Sequence, residues 1–97
     1  MSVRSPTGVE NENYVTVRYW AAARAVAGIS DETVPGTTLA EVLAEISRRH
    51  DDRDGFDSTI AMCSILVGDT PVGAREPAEV DLRPGDTVEL LPPFAGG

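Results

Sequence analysis

Thr38-Leu39-Ala40-Glu41-Val42-Leu43-Ala44-Glu45-Ile46-Ser47-Arg48-Arg49-His50 holds the strongest local signal in the chain. Thr38 and Glu41 have the spacing of a capping box, in which a hydroxyl and a carboxylate satisfy the free amides at a helix start reciprocally. Leu39, Val42, Leu43 and Ile46 fall at i, i+3, i+4 and i+7, so they line one face, while Glu41, Glu45 and Arg48 turn away from it. Arg48-Arg49-His50 brings positive charge to the carbonyl end of the dipole. The spacing therefore predicts a helix from Thr38 to about His50 with a single apolar stripe. Such a stripe must be buried against another layer, and the flanking sequence supplies strands.

Upstream, Val15-Thr16-Val17-Arg18-Tyr19-Trp20 alternates and is rich in β-branched and aromatic residues, which predicts a half-buried strand with Tyr19 and Trp20 on opposite faces. Ala21 to Ala27 switches to helix formers and is stopped by Gly28, which predicts a short helix. Ser30 to Val34 reads as a second strand closed by the Pro35-Gly36 turn. Downstream, the charged, Gly55-bearing Asp51 to Ser58 segment reads as a loop, and the apolar run Thr59 to Val67 as a buried strand. Turn chemistry at Gly68-Asp69-Thr70-Pro71 leads to a short return strand near Val72. Arg83-Pro84-Gly85-Asp86 then turns the chain into a last strand, Thr87 to Leu91. The order predicts an α+β fold, a mixed sheet of four or five strands packed on one main helix. Residues 1–13 form a loose lead, 14–91 the domain and 92–97 an extended tail.

Composition narrows the function. The 97 residues suffice for one domain, and 41% hydrophobic with 25% charged residues is ordinary for a folded, water-soluble protein. No apolar stretch approaches the roughly 20 residues of a membrane-spanning helix, and the N-terminus lacks the apolar core of a secretory signal, so a cytoplasmic protein is expected. A net charge of −8, with eight arginines and no lysine, argues against nucleic acid and for basic protein partners. The single cysteine, Cys63, has no partner for a disulfide or a thiolate metal site and is expected to be a small core residue. Asp51, Asp52, Asp54 and Asp57 lack the glycine position and closing glutamate of a calcium loop. His50 reads as a helix-end residue.

The candidate site is the end of the chain, Leu91-Pro92-Pro93-Phe94-Ala95-Gly96-Gly97. Pro92 and Pro93 have no amide donor and fix φ, so they end the sheet ladder and favour an extended exit. Gly96 and Gly97 have no Cβ, so a narrow channel in another protein admits the backbone and brings the terminal carboxylate to a buried reagent. Pro93, Phe94, Ala95 and Gly96 are the expected partner-binding residues, with Phe94 as the aromatic anchor.

These features together resemble the β-grasp sulfur carriers, the ThiS/MoaD family, relatives of ubiquitin. The resemblance runs from about Val15 to Gly97. It is carried by the first strand entering Trp20-Ala21-Ala22-Ala23-Arg24, the capped helix from Thr38, the Arg83-Pro84-Gly85-Asp86 turn and the tail, and it looks nearer to the small subunit of molybdopterin synthase than to the thiamine carrier. It implies a β-grasp fold and a sulfur carrier for molybdenum cofactor biosynthesis. It further implies that an E1-like enzyme uses ATP to adenylate Gly97, the reacting residue, and that a sulfur donor converts it to a thiocarboxylate. The implied partners are that enzyme and a MoaE-like large subunit, in a complex of two small and two large subunits whose catalytic side chains belong to the partner. No permanently bound cofactor or metal is implied. Thiamine, cysteine or another thio-metabolite remains an alternative destination for the sulfur, and a ubiquitin-like modifier or interaction module is the alternative of a different class.

Overall fold

The structure, a computed structural model, describes residues 13–93. Strand β1 (Tyr14–Tyr19) is followed by helix α1 (Ala21–Ala27), β2 (Asp31–Pro35), α2 (Leu39–Arg49), α3 (Phe56–Ala61), β3 (Ser64–Val67), β4 (Thr70–Pro71), a 3-10 turn (Pro77–Glu79) and β5 (Thr87–Leu91). The five strands form one mixed sheet in the order β2-β1-β5-β3-β4. β1 and β5 run parallel at its centre, with Val17 beside Val88 and Tyr19 beside Leu90. β2 flanks β1 and β3 flanks β5, both antiparallel.

Alternation along the central strands fixes which face is buried. Val15, Val17, Tyr19, Val34, Val88 and Leu90 point inward and are essentially inaccessible, and Leu39, Val42 and Ile46 of α2 meet them at 0% exposure. Each such aliphatic side chain contributes roughly 1.5–3 kcal/mol by leaving water. Leu43, the fourth residue of the predicted stripe, is half-buried at its edge. Ala23, Ala27, Phe56, Val80 and Leu82 complete the core.

α2 begins and ends where the sequence predicts. Thr38 caps it by accepting from the Glu41 amide at 3.2 Å. The reciprocal half of the box differs: Glu41 Oε1 accepts from the amide and hydroxyl of Thr37, at 2.7 and 2.9 Å. The reason lies in the neighbouring segment, because Leu39 donates to Val80 and Leu82 donates to Thr37, forming a bridge of Thr38 to Asp81 that ties the helix start to the chain before β5. Asn13, assigned from sequence to the lead, is joined to the domain through the amide of Gly36, which donates to its carbonyl at 2.9 Å.

The run Thr59–Val67 is a correction. Its first part belongs to α3, and only Ser64–Val67 is strand. Gly55 at φ +81° starts α3, and Phe56 and Ile60, four residues apart, share a face that packs on the core. The expected loop therefore stops at Gly55. β3 is half-exposed throughout rather than buried, since only the two-residue β4 follows it toward the sheet edge. The return strand lies at Thr70–Pro71, and Val72 extends it with an amide donated to Ile65 at 2.9 Å. The 3-10 turn had no counterpart in the sequence reading.

Gly36 has a close-packing role. A Cβ there would sit 2.7 Å from Val42 Cγ2 and 3.3 Å from the Val42 amide. Gly36→Ala is expected to cost about 1–3 kcal/mol, as overpacking does, read as a lower denaturation midpoint at unchanged slope; an unchanged midpoint would contradict this packing.

Candidate functional site: the root of the C-terminal tail

The tail leaves the domain from the central strand, where it is anchored on both sides. On one side Leu91 pairs with Ser64, and on the other the Trp20 amide donates to the Leu90 carbonyl at 3.1 Å. The Arg83-Pro84-Gly85-Asp86 turn sets the register behind it. Gly85 takes φ +87°, the Asp86 carboxylate accepts from the Arg83 amide at 2.8 Å, and the Asp86 carbonyl accepts from Thr16 on β1. Pro92 and Pro93 then follow, both exposed. Pro93 is the one predicted site residue whose placement is described, and it stands at the rim of a groove. Phe94, Ala95, Gly96 and Gly97 lie outside the described residues.

That groove, of about 240 Å³, is walled by Trp20, the start of α1, Met62 and Cys63, with Pro92 and Pro93 on its edge. Trp20 is 38% and Met62 68% exposed, large apolar surfaces at one spot. The indole is held in place: its Nε1 donates to Glu89 Oε1 at 3.0 Å and the Arg18 guanidinium lies 5.2 Å over the ring. Ala21, at φ +50°, occupies the left-handed region unusual for a residue with a Cβ and turns the chain from β1 into α1 beside the groove. The alternation of the first strand puts Tyr19 and Trp20 on opposite faces, and the structure makes Tyr19 the inward and Trp20 the outward one. The sequence does not reveal the contribution of Met62, because it lies in the run Thr59 to Val67 that reads as a buried strand, whereas the structure places it at the end of α3.

A second cavity, of about 470 Å³, lies on the other side of Cys63 and includes Ser64, Val72 and Arg75. Arg75 is committed to the backbone, donating to the carbonyls of Val72 and Pro71 at 3.2 Å. Cys63 is half-buried, its thiol lies 3.4 Å from the Thr59 carbonyl, and burial pushes its pKa up. A thiol kept protonated is a weak nucleophile, which agrees with a packing role. Among the described residues no group of three His, Cys, Asp or Glu side chains is placed to hold a metal.

The other concentration of titratable groups is Tyr19, Glu32, Arg49 and His50. Glu32 Oε2 accepts from Tyr19 Oη at 2.6 Å and lies 2.7 Å from His50 Nε2, while Oε1 accepts from Arg49 at 3.0 Å. A carboxylate only accepts, so His50 Nε2 carries the hydrogen. The His50 ring stacks on Phe56 at 4.7 Å. Burial raises the Glu32 carboxyl, but the bonds from Tyr19, His50 and Arg49 outweigh it and hold the group below the ordinary carboxylate range. Burial first, then the bond to Glu32, raises Tyr19 well above an ordinary phenol. The cluster joins β1, β2 and the end of α2, and neither cavity is lined by it. It is a clamp within the fold, and His50 is a helix-end residue as expected, though buried.

Residues 17–97 match the model of the ThiS family. The chain belongs to the ThiS family. A molybdopterin synthase sulfur carrier subunit of Chlamydomonas reinhardtii is 30% identical over 86 residues, covering 86% of this chain and 98% of that one. Among solved structures, small archaeal modifier protein 1 of Methanosarcina acetivorans superposes with TM-score 0.72 at 21% identity, over 87% of this chain and 96% of that one. A chain of the BexX/CysO complex of Amycolatopsis orientalis gives TM-score 0.68 at 25% identity, over 86% and 99%. The fold is the β-grasp, and the family match runs through the tail to Gly97.

Removing the Tyr19 hydroxyl tests the clamp. Tyr19→Phe is expected to cost roughly 1.5–3 kcal/mol near neutral pH, the range for a hydrogen bond to a charged group. The sign of the pH dependence follows from the shifts. A raised phenol stabilises the fold below the unfolded tyrosine value of roughly 10 and loses that contribution as pH rises. The depressed Glu32 stabilises above the unfolded carboxylate value of roughly 4 and loses it as pH falls. Chemical denaturation across pH should therefore show two falling limbs, the alkaline one flattened in Tyr19→Phe; identical profiles would refute the assignment.

Proposed function

We propose that the chain is a sulfur carrier acting as the small subunit of a molybdopterin synthase. The observation that carries this reading is the family match extending to Gly97, together with a relative named molybdopterin synthase sulfur carrier subunit that this chain covers almost end to end. A tail rooted in the central strand supports it, since a partner gripping the tail meets a fixed exit.

In this reading the terminal carboxylate is the reacting group. Unactivated, it is a poor electrophile. One carboxylate oxygen attacks the α-phosphorus of ATP in an E1-like enzyme, pyrophosphate leaves, and Gly97 becomes an acyl adenylate. Hydrosulfide supplied by a donor then attacks the carbonyl carbon, the carbon–oxygen bond to AMP breaks, AMP departs, and a thiocarboxylate remains. Its sulfur is the nucleophile that attacks a carbon of cyclic pyranopterin monophosphate on the large subunit and displaces an oxygen substituent from it; water then hydrolyses the resulting thioester, leaving the sulfur on the pterin carbon and returning the carboxylate. Gly96 and Gly97 let the backbone enter narrow channels, while Pro93, Phe94 and Ala95 engage the partner. The side chains that move protons belong to the partner enzymes.

A second destination is favoured by the likeness to a chain of the BexX/CysO complex, whose partner is not named as a molybdopterin synthase subunit. The acceptor decides between the two. Supplied as its thiocarboxylate to a molybdopterin synthase large subunit, the chain is expected to convert the pterin precursor in proportion to the amount of carrier. A chain lacking Gly96 and Gly97 should give none. A stable, thiocarboxylated chain that neither binds the large subunit nor sulfurates the precursor would overturn the molybdopterin assignment in favour of the second destination.

A further inference from the structure

The five-stranded sheet is open, so its outermost strands, β2 and β4, each present a row of backbone groups to which another strand can be added. The register shows which groups those are. The amides of Tyr19 and Gly36 donate to the carbonyls of Ser30 and Asn13, so Glu32 and Val34 fall in the bonded pairs with β1. The backbone groups of Asp31, Thr33 and Pro35 therefore turn outward. On the other side Val72 donates to Ile65, which makes Pro71, opposite Leu66, the outward residue of β4.

The same two devices close both rows. Each contains a proline, Pro35 on β2 and Pro71 on β4, with no N–H to offer an incoming strand. Each also has a carbonyl taken by an arginine. Arg49, from the end of α2, donates from Nη1 to the Thr33 carbonyl at 3.0 Å, and Arg75 donates from Nη2 to the Pro71 carbonyl at 3.2 Å. Pro71 thus offers neither donor nor acceptor. Both arginines are braced. Arg49 is held by Glu32 at 3.0 Å and Glu45 at 2.8 Å, and Arg75 by a second bond, from Nε to the Val72 carbonyl at 3.2 Å. At the remaining outward position of β2, the exposed Asp31 carries a charge, which itself disfavours pairing.

We propose that Arg49 and Arg75 are edge guards, which together with Pro35 and Pro71 close the sheet to strand addition by a second copy of this chain. A guanidinium suits the task, because its fixed fork of N–H groups covers an edge carbonyl while other acceptors hold it in place. The net charge of −8 also repels a second copy, but salt screens that repulsion, whereas the guards act at contact. The closure stands whichever acceptor the tail serves, and it leaves side chains and the tail, rather than a lengthened sheet, to meet other proteins.

Opening each edge in turn tests this on the full chain. Pro35→Val with Arg49→Ala opens β2, and Pro71→Val with Arg75→Ala opens β4. Sedimentation at high salt, with like-charge repulsion screened, reads the association, and circular dichroism verifies that each variant is folded. The parent chain is expected to remain monomeric at every concentration. The chain opened at β2 should associate reversibly, its mass rising toward that of a dimer while amide exchange in β2 slows. The chain opened at β4 should do so more weakly, because that strand is two residues long. Pro35→Val alone keeps the Arg49 cap and should stay monomeric. Folded double variants that are as monomeric as the parent would overturn the proposal, and so would a parent chain that dimerises through β2. Arginine side-chain NMR of the parent needs no variant to fold: an Arg75 Nε–H that exchanges with water as fast as a free arginine would overturn the guard on β4.

Discussion

The parallel pairing of β1 with β5 is the constraint on which the rest depends. It joins the first and last strands among the described residues, so the sheet closes only after residues 14–91 are all in place. Val17, Tyr19, Val88 and Leu90 then face α2 from adjacent central strands, and the burial of their side chains holds the register. A one-residue slip would turn each of them to the outer face and strip the helix of its partner surface. The same pairing sets where the tail emerges, since the Leu90 carbonyl is the last that Trp20 holds before Pro92 and Pro93 leave the ladder.

Around that centre the chain divides its polar groups in two. Tyr19, Glu32, Arg49 and His50 bind three elements together and are consumed in doing so. The outer side of the tail root has the opposite character, with Trp20 and Met62 exposing apolar surface beside two prolines. In the proposed function the reactive group is the chain's own terminus, and a domain of that kind needs no acid or base nearby. It needs a rigid origin for the tail and a surface that others can grip. The absence of lysine is compatible with such chemistry, because an activated carboxyl then finds no side-chain amine on its own chain, and arginine stays protonated.

Much of this was legible in the sequence where the signal is local. The Thr38 cap, the Leu39-Val42-Ile46 stripe and the basic last turn all agree on one helix, and the structure keeps its ends. The Gly28 stop and the turn before Thr87 are likewise set by residues within a few positions. What was not legible depends on distant partners. α3 has only Phe56 and Ile60 to mark its helical face, and the apolar residues that follow extended the run into a false strand. Glu41 serves Thr37 rather than Thr38 because residues 80–82 pair with the helix start. The Glu32 clamp and the groove are assembled from elements far apart in the chain, so no spacing announces them. Of the predicted site, Pro93 is seen at the groove rim, and its four successors lie beyond the described residues.

The central claim is that Gly97 carries sulfur, and the mass of the C-terminal peptide measures it most directly. The full chain would be incubated with ATP, an E1-like activating enzyme and a sulfur donor, beside a chain ending at Ala95. The account predicts that sulfur replaces one oxygen on the peptide ending in Gly97, only when ATP is present, and that the shortened chain is unchanged. A terminal peptide that keeps both oxygens with several cognate activating enzymes, while the domain remains folded, would contradict it.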